Sequence, residues 1–195
     1  MFYKIIRGLL RPILFLLYRP KTIGLDNFPK TGKVVLYSNH ISMLDPILIA
    51  CMLPRRIYFM AKSELFQNPI LRFVLKNVGA FPVKRGTADL AAIKNSLKVL
   101  KGGNVFGIFP EGTRGKQGEV KHFSLGAASI AHRSKAKVIP VGVIGRYKLF
   151  HPMEVVVGEV LDMDNYFSQK SNTELMELIS TEMENSLKSL FNKQG

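Results

Sequence analysis

The chain is poor in cysteine and lacks several common catalytic signatures. One cysteine among 195 residues cannot form an intramolecular disulfide. The sequence contains no HExxH or CxxC motif, so it offers no metal site of ordinary spacing. It also lacks a GxSxG elbow and a Walker A loop, which argues against a serine hydrolase and against ATP-driven chemistry. A catalytic site in this chain would therefore be built from residues outside these motifs.

Acidic residues are also scarce. The 14 Asp and Glu residues are outnumbered by 28 Lys and Arg residues, which gives a formal net charge of +14. The excess lies before residue 172, because glutamates outnumber lysines in the last segment of the chain. A positive field favours anionic partners such as phosphate headgroups, nucleic acid or an acidic carrier protein. Charge alone does not choose among these partners.

The first 20 residues combine apolar and basic residues without any acid. Lys4, Arg7 and Arg11 recur at helical spacing and share one face of the predicted helix. The unbroken apolar run Pro12–Tyr18 is shorter than the about 20 residues that cross a bilayer. Bulky and basic residues follow it where small residues would mark a signal-peptide cleavage site. We expect an interfacial helix or helix pair, broken near Pro12 and lying in the headgroup layer; an ordinary core helix is the alternative.

Strand-like and helical segments alternate along the rest of the chain. The predicted strands are Val34–Ser38, Ile57–Met60, Phe81–Lys84, Val105–Phe109, Val138–Ile144 and Glu154–Val157. The predicted helices are Pro46–Met52, Ser63–Asn77, Ala88–Lys101, Ser124–Ser134 and Thr173–Phe191, the last capped by Asn172 or Thr173. This alternation predicts an α/β fold with a mixed, largely parallel sheet flanked by helices, preceded by an N-terminal membrane-interface helical segment. A composition shift near residue 22 divides the chain into an anchoring segment, 1–21, and an α/β domain, 22–195.

A histidine and an aspartate follow the first of these strands. The strand ends near Ser38, and Asp45-Pro46 is typical of a helix N-cap followed by the first helical residue. His40 is therefore expected in a strand-to-helix loop, where catalytic groups are often placed. Positions five apart on a helix point about 140° apart, so the two side chains meet only if the turn is irregular. A carboxylate on one imidazole nitrogen would leave the other as a base; the alternative is a loop histidine beside a capping aspartate.

A glycine-rich polar segment follows the strand that ends at Phe109. Its sequence is Phe109-Pro110-Glu111-Gly112-Thr113-Arg114-Gly115. The glycines let the backbone approach a ligand closely, and the arginine can donate two hydrogen bonds to a phosphate. The threonine hydroxyl can add a donor, and the glutamate can accept from a substrate hydroxyl or hold an arginine. Taken alone, the segment is more typical of a solvated turn with a surface ion pair.

Three other features are unspecific by themselves. The segment Gly79–Gly86 carries Arg85, which could supply a second phosphate donor. Val138–Val141 is apolar strand sequence interrupted by proline. A basic turn and a buried strand are the ordinary interpretations of these two segments. Cys51 lies in the apolar run Ile47–Leu53, so we expect it in the core and not as a nucleophile.

Taken together and in order, the motifs resemble those of a known family. His-x4-Asp, GxFxxxR, FPEGTRG and Val-Ile-Pro-Val occur here with the order and spacing of the 1-acylglycerol-3-phosphate acyltransferase family of glycerolipid synthesis. The resemblance covers about residues 20–145, and Lys21–Pro29 is similar to the family's opening strand. Gly115 stands where many members have serine, a change that should be tolerated.

The resemblance implies a reaction and roles for individual residues. Members transfer a fatty acyl group from a thioester to a lysophospholipid hydroxyl, which implies His40 as the general base, oriented and charge-stabilised by Asp45. The hydroxyl would attack the thioester directly, without an acyl-enzyme. The implied substrate-binding residues are Asn39, which would support its loop, Arg85 and Arg114 on the acceptor phosphate, and Glu111, Gly112 and Thr113 around the glycerol. No cofactor and no metal is implied.

The resemblance also implies substrates, partners and location. The acceptor would be 1-acylglycerol 3-phosphate (lysophosphatidic acid), the donor an acyl carrier protein or coenzyme A thioester, and the product phosphatidic acid. We expect membrane lipids but no nucleic acid as partners, and a peripheral or monotopic location on the cytoplasmic face of a membrane. Three alternatives stay open: a related acyltransferase with glycerol 3-phosphate, another lysolipid or an aminolipid as acceptor; a hydrolase using the same histidine; and a non-catalytic basic protein that binds membranes or nucleic acid.

Overall fold

The chain forms a seven-stranded sheet with helices on both faces. The computed structural model describes residues 1–84, 89–116 and 118–192. Its helices are α1 (Phe2–Tyr18), α2 (Asp45–Met52), α3 (Pro69–Val78), α4 (Leu90–Lys101), α5 (Leu125–Ser134), α6 (Asp164–Phe167) and α7 (Thr173–Asn192). Its strands are β1 (Lys21–Ile23), β2 (Val34–Ser38), β3 (Ile57–Lys62), β4 (Phe81–Val83), β5 (Val105–Ile108), β6 (Lys137–Gly145) and β7 (Met153–Val157).

The strand order is β1-β7-β6-β2-β5-β3-β4. The five strands from β6 to β4 are parallel, whereas β7 pairs antiparallel with β6 and parallel with β1. This confirms the mixed, largely parallel sheet that the sequence predicts. Because parallel strands end at the same edge, the loops that follow β2, β3, β4, β5 and β6 meet there. Ligands of open α/β sheets bind at this carboxyl edge.

The central strand β2 is buried along its whole length, which explains its continuous apolar sequence. Val34 and Leu36 point to one face of the sheet, into the core formed with α1 and α2. Val35 and Tyr37 point to the other face, into the core formed with α5 and α7. The alternation places successive side chains in two separate cores. This packing fixes the end of β2, from which the candidate site begins.

The expected break near Pro12 is wrong, because α1 runs through the proline without interruption. Before Pro12, the Tyr3 hydroxyl and the Arg7 guanidinium donate to carbonyl oxygens of α2 at 3.3 and 3.2 Å. After Pro12, Leu14 is buried in the core beside α2. These contacts on both sides outweigh the roughly 3 kcal/mol that a proline costs inside a helix. Among the described residues, no helix has the length and apolar character needed to cross a membrane.

Asparagine side chains cap the first turns of α3 and α7. The helix expected over 63–77 is divided, because the Asn68 side chain accepts from the backbone N–H groups of Ile70 and Leu71 at 2.9 and 3.1 Å and starts α3 anew. At the other end of the chain, the side chain of Asn172 accepts from the Leu175 N–H at 2.7 Å. The expected cap of the C-terminal helix at Asn172 is therefore confirmed.

Candidate active site

His40 and Asp45 form a buried pair just beyond the carboxyl end of β2. His40 Nδ1 lies 2.8 Å from Asp45 Oδ2. The residues between them form an irregular turn, which is why side chains five positions apart can meet. The expected N-cap role of Asp45 is wrong: Leu44 occupies the cap position, and Asp45 is the first residue of α2. Its carboxylate turns back toward the loop and accepts hydrogen bonds from residues of that loop.

The Asp45 carboxylate is fully buried and fully hydrogen-bonded. Besides the His40 ring, Oδ2 accepts the backbone N–H groups of Ile41 and Ser42 at 2.7 and 2.8 Å. Oδ1 accepts the Tyr147 hydroxyl at 2.8 Å. Such donors offset the cost of burying a carboxylate and keep it in one orientation. The pair therefore holds Nδ1 of the imidazole and leaves Nε2 available as a base.

Tyr147 connects the N-terminal helix to this carboxylate. Burial, together with the negative charge of Asp45, raises the pKa of the Tyr147 phenol, so the hydroxyl stays protonated and donates. Its ring packs edge-on against Tyr18, with centroids 5.4 Å apart, in the last turn of α1. The Phe150 N–H donates to the Leu17 carbonyl at 2.6 Å nearby. The end of α1 is thereby fixed beside the His40–Asp45 pair.

The imidazole ring of His40 is stacked in an aromatic column. Its centroid lies 4.2 Å from that of Phe109, at an interplanar angle of 22°. Phe109 stacks in turn on Phe59 of β3, 5.6 Å away. Stacking restricts rotation of the imidazole about its side-chain bonds, while Asp45 fixes the ring plane by its hydrogen bond. The protein itself therefore holds the imidazole in one orientation.

The Phe109–Gly115 loop is attached directly to the histidine loop. The Gly115 N–H donates to the His40 carbonyl at 2.7 Å, and the Ser124 N–H donates to the Pro110 carbonyl at 2.9 Å. These two bonds fold the loop back over the ends of β2 and β5. Gly112 and Thr113 consequently line the same cavity as His40.

This active-site cavity has a volume of about 630 Å³. It lies between the loops that follow β2, β4 and β5 and the first turns of α4 and α5. Its polar lining comprises His40, Lys84, Asp89, Thr113 and Ser124, with Met60, Ile93, Phe109 and Ile130 among the apolar residues. An imidazole, hydroxyl groups and a lysine beside an apolar wall suit a substrate with both a polar head and an apolar part.

Glu111 carries a buried carboxyl group. Both carboxylate oxygens are buried, and neither has a partner among the described residues. Burial is the largest influence on Glu111 and raises its pKa to about 7, despite the opposing positive charge of Lys121. Glu111 is not among the residues that line the cavity, and its predicted contact with the glycerol stays a prediction.

The remaining predicted residues occupy different places. Both ends of the Asn39 carboxamide are bonded to Val143 of β6, with Nδ2 2.9 Å from the carbonyl and the backbone N–H 2.8 Å from Oδ1. Asn39 is 1% exposed, so it supports the loop from behind and does not face the cavity as a substrate ligand. Arg114 is exposed, one residue beyond Thr113. Arg85 lies outside the described residues.

The sequence did not predict the contact of Tyr147 with Asp45 or the stacking of Phe109 on His40. The available signal for Tyr147 was its position just after β6, a neighbour of β2 that ends at the same edge of the sheet. Cys51 is buried, and burial raises the pKa of its thiol, which keeps it neutral and unsuited to nucleophilic attack. Within the described ranges, no group of His, Cys, Asp and Glu side chains could hold a metal ion.

Comparison with known proteins agrees with this geometry. The model of the Acyltransferase family matches residues 19–144, which include His40, Asp45 and the Phe109–Gly115 loop. The chain belongs to this acyltransferase family. The acyltransferase is 33% identical to the 1-acyl-sn-glycerol-3-phosphate acyltransferase of Bacillus subtilis, over 98% of each chain. It is 30% identical to the enzyme of that name from Borreliella burgdorferi, over 65% of this chain and 52% of that one.

A solved structure shows the same architecture. The crystal structure of the 1-acyl-sn-glycerophosphate (LPA) acyltransferase from Thermotoga maritima superimposes on this acyltransferase with a TM-score of 0.73. The two are 25% identical, and the match covers 96% of this chain and 79% of the other. Both the matching fold and the family match thus place this enzyme among the acyltransferases.

Proposed function

We propose that this acyltransferase moves a fatty acyl group from a thioester to the sn-2 hydroxyl of 1-acylglycerol 3-phosphate and forms phosphatidic acid. The observation that carries this proposal is the His40–Asp45 pair at 2.8 Å, set beside Thr113 in a cavity large enough for a lipid headgroup. The Bacillus subtilis relative and the Thermotoga maritima structure both align over almost the whole chain, and their names support the same acceptor. No cofactor enters the proposed reaction.

The proposed reaction uses His40 as base and then as acid. Nε2 takes the proton of the acceptor hydroxyl while the hydroxyl oxygen bonds to the thioester carbonyl carbon. The tetrahedral intermediate collapses, the carbon–sulfur bond breaks, and the leaving thiolate receives the proton back from Nε2. Asp45 stabilises the imidazolium that exists between these two transfers. Atoms and charge balance without an acyl-enzyme, in keeping with the neutral, buried Cys51.

The acyl chains require an apolar environment, and the structure offers one beside the active-site cavity. A second, almost wholly apolar cavity of about 160 Å³ lies between α1, α2, α3 and β3. Met60 lines both cavities. The proposed path places one fatty chain past Met60 and under α1, with its carboxyl carbon at His40. An apolar cavity next to a polar one matches the amphiphilic substrates.

We propose that α1 and α3 together hold the enzyme on a membrane surface. Large apolar side chains are exposed on both helices: Ile5, Leu9, Ile13 and Leu16 on α1, and Ile70 and Phe73 on α3. The helices touch through Phe2 and Phe73, whose rings pack edge-on at 5.6 Å. Lys4, Arg11 and Arg19 are exposed on or next to α1, and basic residues are attracted to the anionic cytoplasmic leaflet. This proposal places the enzyme peripherally on that face.

The structure gives Arg7 of α1 a different role from the one that the sequence predicts. Arg7 was expected to share a basic face with Lys4 and Arg11. Its guanidinium instead donates to the carbonyl oxygens of Cys51 and Pro54 at the end of α2. A cation at a helix C-terminus is favourable, so Arg7 attaches α1 to the domain.

The function is tested by supplying lysophosphatidic acid with an acyl-carrier-protein thioester and, separately, with a coenzyme A thioester. Formation of phosphatidic acid with either donor is the expected result. Hydrolysis of the thioester without transfer, or transfer to another acceptor alone, would contradict the proposal.

Vesicle binding is tested with the double variant Leu9→Glu and Leu16→Glu, which should no longer bind anionic vesicles. The control is Leu178→Glu on α7, where a leucine of similar exposure lies far from α1.

A further inference from the structure

A cationic groove continues the active-site cavity along the carboxyl edge of the sheet. Its volume is about 560 Å³, and it lies between the ends of β3 and β4, the outer side of α3 and the start of α4. Val83, Lys84 and Asp89 line both the groove and the cavity that contains His40. A ligand could therefore extend from His40 into the groove without leaving the carboxyl edge, where ligands of parallel sheets bind.

Among the residues that the structure describes, three cations line this groove: Arg72 and Lys76, one turn apart on α3, and Lys84 after β4. Among the described residues, none of the three forms a salt bridge. Asp89 is the acid among the described lining residues, and its carboxylate oxygens accept the backbone N–H groups of Lys84 and Ala92 at 2.9 and 3.0 Å. These bonds lower the pKa of Asp89 and cap α4. The groove thus keeps an excess of positive charge for an anionic ligand.

The groove also offers uncharged hydrogen-bonding groups. Ser63 and Gln67 line it from the turn after β3, and Asn95 lines it from α4. Phe66 and Val83 add apolar surface between them. A ligand that alternates amides with short apolar links and ends in a phosphate fits such a mixture of contacts.

We propose that this groove binds the phosphopantetheine arm of the acyl donor, with its phosphate between Arg72 and Lys76. The inference rests on the proposed function, which requires a thioester whose carbonyl reaches His40. The arm is common to coenzyme A and acyl carrier protein, so the groove serves either donor. Its sulfur end lies at Lys84 and Val83, where groove and cavity join.

The kinetic test is the double variant Arg72→Ser and Lys76→Ser, assayed with full-length enzyme in mixed micelles. We expect the KM for the donor to rise about 5- to 20-fold and the KM for lysophosphatidic acid to stay within about twofold, because only donor contacts are lost. The matched control, Lys98→Ser and Lys101→Ser, removes equal charge from the other end of α4. A rise in the acceptor KM, no change in either KM, or an equal effect in the control would overturn the proposal.

A binding measurement separates this inference from the proposed function. Calorimetry with 4′-phosphopantetheine should show binding to the wild-type enzyme, weakened by the Arg72→Ser and Lys76→Ser double variant. Pantetheine, which lacks the phosphate, should bind no better to the wild type than to the variant. Equal binding of both compounds to wild type would contradict the groove assignment whether or not acyl transfer is observed. An increase in KM confined to coenzyme A donors, in an enzyme that uses both, would also contradict it.

Discussion

A single oxygen of Asp45 holds the base of the proposed reaction in place. Asp45 Oδ2 lies 2.8 Å from His40 Nδ1 and also accepts the N–H groups of Ile41 and Ser42, the two residues that follow the histidine. The carboxylate thus fixes the backbone of the loop as well as the imidazole ring. Because Tyr147 bonds the other oxygen, the carboxylate cannot rotate without breaking several hydrogen bonds at once.

Replacing Asp45 by Asn should lower kcat strongly without unfolding the protein. An amide oxygen can still accept the backbone N–H groups, but the negative charge that stabilises the imidazolium is lost. We expect kcat to fall by about two to four orders of magnitude. The measurement is steady-state acyl transfer to lysophosphatidic acid. The control, Tyr147→Phe, leaves the charge in place and should cost about tenfold or less; a larger effect of Tyr147→Phe than of Asp45→Asn would contradict this account.

Replacing Arg114 by Ala should chiefly raise the KM for lysophosphatidic acid. Arg114 is exposed and follows Thr113, which lines the active-site cavity, and the proposed mechanism assigns its guanidinium to the acceptor phosphate. We expect an increase of about tenfold in the acceptor KM with a smaller change in kcat. The exposed Arg133 on α5 provides the control, since Arg133→Ala removes the same charge elsewhere. An unchanged acceptor KM would place the phosphate away from Arg114.

Replacing Asn39 by Ala should reduce stability and kcat but not acceptor binding. The change leaves the buried N–H and carbonyl of Val143 without their side-chain partners, which costs about 2–4 kcal/mol in the free energy of unfolding. Chemical denaturation measures this loss. As a control, Ser96→Ala removes a buried hydrogen bond to the Ala92 carbonyl within α4 and should leave kcat unchanged. A large rise in the acceptor KM of Asn39→Ala would show a direct substrate contact instead.

Glu111 should make stability depend on pH. Its folded pKa of about 7 exceeds the ordinary glutamate value, so the folded chain holds more protons than the unfolded chain between the two values. The free energy of unfolding therefore falls as the pH rises through this window. We expect Glu111→Gln to be more stable than the wild type by about 1–2 kcal/mol at about pH 8, with the difference vanishing near pH 4 to 5. Denaturation curves across this range measure it.

Gly115 offers a second variant for the same carboxyl group. A Cβ atom added at Gly115 would lie 3.2 Å from Glu111 Oε2, and the backbone there does not require glycine. A serine at this position would bring a hydroxyl donor to the unpartnered carboxylate. Gly115→Ser should therefore lower the pKa of Glu111 and shift the pH dependence to lower pH. A pH dependence that is the same in the wild type, Glu111→Gln and Gly115→Ser would assign it to another group.

The sequence predicts the fold correctly where burial alone determines the local pattern of apolar residues. Val34–Ser38 is apolar because both faces of β2 are covered, and its boundaries were predicted correctly. α1 was predicted to break because an interior proline is unfavourable, but Tyr3, Arg7 and Leu14 make contacts with distant residues that no local pattern contains. Contacts with residues distant in the sequence therefore keep α1 unbroken at Pro12.

The site was less predictable than the fold. The motif order was enough to propose His40 with Asp45, because both side chains lie in one short loop. Tyr147 comes from more than a hundred residues away, and only the neighbouring positions of β2 and β6 in the sheet bring it to the carboxylate. Asn39 stands next to His40 in sequence but faces β6, because successive residues point to opposite sides of extended backbone.

The central claim is that His40 is the general base for acyl transfer to lysophosphatidic acid. The most direct measurement is the rate of phosphatidic acid formation by His40→Ala, with thermal unfolding as a check and His40→Gln as the variant that retains a donor to Asp45. We predict that both variants remain folded and lose at least about a thousandfold in kcat, since the base is removed. A folded variant that forms phosphatidic acid at nearly the wild-type rate would contradict the claim.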